Sequence, residues 1–285
     1  HTALRRQRQM CIRDSMMSRL IDKPINLSIS QSCEIENAKL KNVEIYKIKG
    51  VHPSGNESFQ INRIDPLNSG EIVWVIKPED LANIGSFFET GVFCPKRTVA
   101  VSGDSLRSPK YYDTIIGSSI SSLVDSKELS NIKNYRFING DPLSGSKVEY
   151  SDFLGFYNNI LSVISEGNQF RMLGWLPFMY NNIPSFSRTS LSWLLGGEKK
   201  VNTNLNGEER AIVVTGEMEK YFPMDIFPMQ LIKACMRGDI EKMESLGIYE
   251  VVPEDFGLVD FSCTSKIEAQ EIVKSGIKLM LKEVG

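Results

Sequence analysis

Few residues in this chain have the type and spacing that chemistry requires. His52-Pro53-Ser54-Gly55-Asn56 sits at the exit of a strand-like run, where backbone amides beside a Gly and an Asn could face an anion or a flavin-like ring. His52, Gly55 and Asn56 are thus the candidate cofactor contacts. The same residues also read as a turn, with the Gly and Asn at positive φ and the Pro fixing the entry. Cys263, in FSCTSKIE, precedes a helix-like segment, a setting that favours a thiolate. A small, partly buried cysteine is the simpler account of it. Gly140–Lys147 reads GDPLSGSK, close to GxxxxGK[ST], but its lysine falls one place late and its composition suits a turn. GxGxxG does not occur.

Counting the reactive side chains removes several function classes. The five cysteines (Cys11, Cys33, Cys94, Cys235 and Cys263) stand far apart with no CxxC pair. A zinc ribbon, a self-contained iron–sulfur site and a thioredoxin-like centre are therefore excluded, and the odd count suits a reducing compartment. His1 and His52 are the only histidines, so a triad or a histidine metal site would rest on His52 alone. The net charge is -2, which offers no electrostatic footprint for nucleic acid. The longest apolar run, Met172 to Tyr180, is broken by Pro177 and is far too short to cross a bilayer.

The elements that must position these residues follow from pattern. Val43 to Ile48 (VEIYKI) and Glu71 to Ile76 (EIVWVI) are rich in β-branched and aromatic residues and predict strands around a Gly/Pro/Asn loop. Pro78-Glu79-Asp80 opens a helix with Leu81, Ile84, Phe87 and Phe88 at helical spacing, and Gly91 stops it. Arg97 to Gly103 alternates as a half-buried strand, and Tyr135 to Ile138 supplies another, with a short segment holding Ile120, Leu123 and Val124 between them. That succession suits a small β-grasp-like module. Phe153 to Tyr157, Ile160 to Ile164 and Ala211 to Thr215 extend the β-type pattern. Pro228 to Arg237 and Asp239 to Leu246 predict helices ended by Gly238 and Gly247, and Ser265 with Glu268 predicts a capping box opening a last helix.

The resulting organisation is α+β and multidomain. Residues 16–90 read as the later part of an α/β, Rossmann-like domain, 91–145 as a β-grasp domain, 146–215 as a β-rich connector and 216–285 as a helical domain. From residue 201 onward, 15 acidic side chains face 9 basic ones, the composition of a solvated acidic face. Residues 5–15 (RRQRQMCIRDS) resemble the translation of a sequencing adapter, so residues 1–15 are expected to be foreign to the fold. A natural N-terminal part is then expected to be missing. Trp175, Phe178, Tyr180 and Trp193 lie in an aromatic stretch broken by Pro177 and Pro184, which suits either a docking surface or a core.

Several ordered blocks carry a resemblance. HPSGN with Ile64-Asp65-Pro66 and Val73-Trp74, RTVAVSG with SPKYYDTIIG, FSRTSLSW, GEERAIVVTG, FPMDIFPMQL and GIYEVVPEDFGLVDFSCTSK run from about residue 20 to 285. Together they resemble the NqrA family of the Na+-translocating NADH:quinone reductases, and most closely its Bacteroidetes-type sequences. The resemblance implies a peripheral protein on the cytoplasmic face of the bacterial inner membrane. It would be part of a six-subunit complex that passes electrons from NADH through flavins and iron centres to quinone while exporting Na+. It further implies an SLBB-like β-grasp domain, no cofactor bound by this chain, contacts with the membrane-embedded NqrB, and quinone near that interface. The chain's own role would be assembly and support of the quinone site, with no catalytic residue assigned, and Trp175, Phe178, Tyr180 and Trp193 are the docking candidates. The alternative is a non-enzymatic β-grasp interaction module of a membrane-associated assembly. An Rnf-type electron carrier would need clustered cysteines, which this chain lacks.

Overall fold

A computed structural model describes residues 23–33, 42–125, 127–129, 134–167, 194 and 201–284. The aromatic candidates Trp175, Phe178, Tyr180 and Trp193, and the segment 1–15, lie outside the described residues. The chain is mixed α+β and builds three units in sequence order.

The first unit is α/β. Strands β1 (Ile25–Ser30) and β2 (Val43–Ile48) pair in parallel, with Ile25 opposite Val43 and Ser30 opposite Ile48. Helices α1 (Glu57–Ile64) and α2 (Pro78–Thr90) follow. Pro78 occupies the first turn of α2, where its missing N–H costs nothing, and Gly91 ends the helix in the left-handed region at φ 70°, as the sequence predicts. Between the helices the expected strand Glu71–Ile76 does not form: it has no ladder partner among the described residues. A run of β-type residues becomes a strand only when a neighbour accepts its backbone hydrogen bonds.

The second unit is a five-stranded sheet in the order β4-β3-β7-β5-β6. It comprises β3 (Lys96–Ser102), β4 (Lys110–Ile115), β5 (Tyr135–Asn139), β6 (Ser146–Val148) and β7 (Ile160–Ser165), with the short helix α3 (Ile120–Leu123) on one face. The first and last strands, β3 and β7, run parallel at the centre, and each pairs outward with an antiparallel neighbour. This is the β-grasp arrangement. Its sheet runs to Ser165, so it draws strands from both the 91–145 and the 146–215 stretches. As the central strand, β7 is buried on both faces from Leu161 to Ile164, which explains its apolar run, broken only by Ser162. Val99, Val101, Ile120, Leu123, Val124, Leu154, Leu161 and Val163 close the core beneath α3. Gly103 lets β3 and β7 meet: its φ is +128°, and a Cβ there would lie 2.0 Å from the Val163 carbonyl oxygen. GDPLSGSK forms the turn between β5 and β6, as its composition suggests. Phe153–Tyr157 and Ala211–Thr215 form no strand; they are irregular segments beside the structured units.

The third unit is helical: α4 (Glu217–Tyr221), α5 (Pro228–Arg237), α6 (Ile240–Ser245), α7 (Gly257–Ser262) and α8 (Ala269–Glu283), with 3₁₀ turns at Ile248–Glu250 and Pro253–Phe256. Met229, Leu231, Ile232, Met243, Phe256, Val259 and Val273 form a closed apolar core. The expected capping box at α8 is replaced by a different cap. The Ser265 hydroxyl donates to the Ala211 carbonyl at 3.0 Å, while the amides of Ala269 and Gln270 donate to the Asp260 carboxylate at 2.6 and 3.3 Å. An acid on the preceding helix thus does what a local cap does elsewhere.

Candidate functional site

The three units converge on a cleft of about 670 Å³, lined from residues 55–77, 139–160 and 249–254. Each of its seams is held by polar contacts that span long stretches of sequence.

Asp255, almost completely buried, forms the seam between the α/β and helical units. Its carboxylate accepts from the Ser58 hydroxyl at 2.5 Å, from the Asn56 side-chain amide at 3.4 Å and from the Val252 backbone amide at 3.0 Å. Burial pushes its pKa above the usual carboxylate range, against the opposing hydrogen bonds from Ser58, Val252 and Asn56. Beside it, the Asn62 amide donates to Glu250 at 2.5 Å, and Phe59 packs on the helical core.

Arg97, at the start of β3, ties the α/β unit to the β-grasp unit. Its side chain is 1% exposed and pairs with Asp80 on α2. Its Nε and Nη1 donors have no partner among the described residues, where the Asp80 carboxylate compensates this buried charge. Lys77 Nζ donates to the Tyr157 carbonyl at 3.0 Å and Asn83 Nδ2 to the Lys96 carbonyl at 3.3 Å, both across the same seam.

Between the β5–β6 turn and the helical unit, Gln270 Nε2 donates to the Leu143 carbonyl and to Asp260, both at 2.9 Å. Burial raises the Asp260 pKa, while hydrogen bonds from Gln270 and from the Ala269 and Gln270 amides act the other way. At Asp141 burial also pushes upward. Hydrogen bonds from the Ser144 side chain and from the Leu143 and Ser144 amides outweigh it, so the group is held below its ordinary value.

The cleft brings Gly55 and Asn56 into its wall and leaves His52 outside the lining, on an exposed turn. Neither Gly55 nor Asn56 takes positive φ; Asn56 has φ -68° and serves as the N-cap residue of α1. The expected positive-φ turn is therefore corrected: the chain turns through Ser54 N to Val51 O and Asn56 N to Pro53 O hydrogen bonds. Cys263 is buried beneath the helical unit, a packing residue. Glu57, Asp141, Glu250 and Glu254 line the cleft against one lysine, Lys77. This surplus of negative charge opposes any phosphate-bearing ligand. No cluster of three or more His, Cys, Asp or Glu side chains suited to a metal ion occurs among the described residues.

Sequence reasoning missed Ser58, Asp255, Arg97 and Asp80. A buried aspartate held by a serine 197 residues earlier leaves no local signal. Only the Pro-Glu-Asp run at 253–255 and the lone Arg97 on the apolar side of a strand hint at them.

Fold and site thus define a multidomain α+β protein whose α/β, β-grasp and helical units are joined by buried polar seams. Two family models match in the same order: "NqrA second alpha/beta domain" over residues 9–93 and "NQRA C-terminal domain", an SLBB-type domain, over residues 98–150. The chain is 32% identical over 273 residues to the NqrA component of the Na(+)-translocating NADH-quinone reductase of Neisseria meningitidis serogroup C. It is 35% identical over 271 residues to that of Haemophilus influenzae strain 86-028NP. Each alignment covers 94% of this chain and 60% of the relative, so the chain spans about 60% of the length of the relatives it matches. The chain belongs to the NqrA family.

Proposed function

We propose that this chain works as part of the NqrA component of a Na+-translocating NADH:quinone reductase, a translocase that couples quinone reduction by NADH to Na+ export. The observation that carries this reading is the match over 94% of the chain to relatives of that name. The protein is peripheral and faces the cytoplasm, binds no redox cofactor, and acts through contacts with the membrane-embedded NqrB that support assembly and the quinone site. Two features support that role: no helix among the described residues is long and apolar enough to cross a membrane, and the cleft's negative lining disfavours flavin phosphate. Its chemistry is then mechanical. The seams at Asp255, Arg97 and Gln270 fix three units in one relative position, as a protein that presents a composite surface requires.

The test is a chimera in which residues 16–284 replace the matching region of the Haemophilus influenzae NqrA, expressed in a strain lacking its own. The chimera should co-purify with the membrane components and restore Na+-stimulated NADH:quinone activity in membrane vesicles. A folded chimera that stays out of the complex overturns the assignment. Stoichiometric flavin or iron on the isolated chain overturns the cofactor-free part of it.

A further inference from the structure

We draw no further inference here: the strongest candidate, the acidic rim of the cleft at Glu57, Asp141, Glu250 and Glu254, belongs to the site already described, and nothing in the structure shows what covers it.

Discussion

The helical unit and the α/β unit contain similar residues, yet one is closed and the other open. In the helical unit Phe256, Met229, Leu231, Ile232 and Val273 are buried against one another, and even the cap of α8 comes from within, through Asp260. In the α/β unit Trp74, Phe87, Phe88, Val92 and Phe93 face outward, and its best strand sequence has no ladder among the described residues. Apolar content therefore does not decide where a core forms. What decides it is whether the chain supplies a second surface to bury the first. The helical unit does so within some 70 residues of short-range connections, which suits helices. A parallel sheet must gather its strands from distant parts of a chain.

The largest expected effect sharpens that contrast. Phe256→Ala should cost about 3–5 kcal/mol, read as a shift of the chemical-denaturation midpoint of the helical signal, because the ring is fully buried. Phe88→Ala, the same change on the exposed face of α2, should stay within about 0.5 kcal/mol. Equal costs at the two positions would erase the distinction between the units.

Next comes the seam that ties the open unit to the sheet. Asp80→Ala leaves the buried Arg97 guanidinium without its carboxylate and should cost about 3 kcal/mol. Removing both charges as Asp80→Leu with Arg97→Met should recover most of it in a double-mutant cycle. A double variant as unstable as Asp80→Ala would show that packing, not charge, holds the seam.

The Ser58→Ala change acts at the other seam. It takes the shortest donor from the buried Asp255 carboxylate and should cost about 1–3 kcal/mol, with the change in exchange localised to residues 56–64 and 248–256. No change in either quantity would mean that α1 is not held through Asp255.

How far the sequence could foresee this architecture differs from element to element. α2, α5 and the β5–β6 turn were legible because their boundaries are set by Pro78, Gly91, Gly238 and the GDPLSGSK composition, all local signals. Glu71–Ile76 carries an equally strong local signal and is not a strand, since strand formation also needs a partner that local sequence does not name. The capping box at Ser265 and Glu268 fits the pattern, yet the helix opens later, at Ala269, where Asp260 on an adjacent helix accepts from its first two amides. At the candidate site, Gly55 and Asn56 stand in the cleft wall without the positive φ that turn chemistry predicts, and Asn56 begins α1 and donates to Asp255. The seams join residues up to 199 positions apart, and no spacing rule reaches that far.

A smaller effect concerns pH. Burial raises the pKa of Asp255 and Asp260 in the folded protein, so the fold binds their protons more tightly than the unfolded chain does. Their contribution to stability is complete below the ordinary aspartate value of 3.8 and is lost as pH rises through the folded pKa. The stability gap between the parent chain and Asp255→Asn should therefore narrow as pH rises from acid toward neutrality, followed by denaturation at a series of pH values. A gap that widens with pH would mean that the charged carboxylate is the favoured form.

Native-state hydrogen exchange of the unmodified chain tests the contrast between the two units most directly. Amides of α5 and α8 should exchange only through large-scale unfolding, while residues 43–48 and 71–90 exchange orders of magnitude faster through local opening. Uniform protection across both units would contradict it, because a unit with an open core cannot share the stability of a closed one.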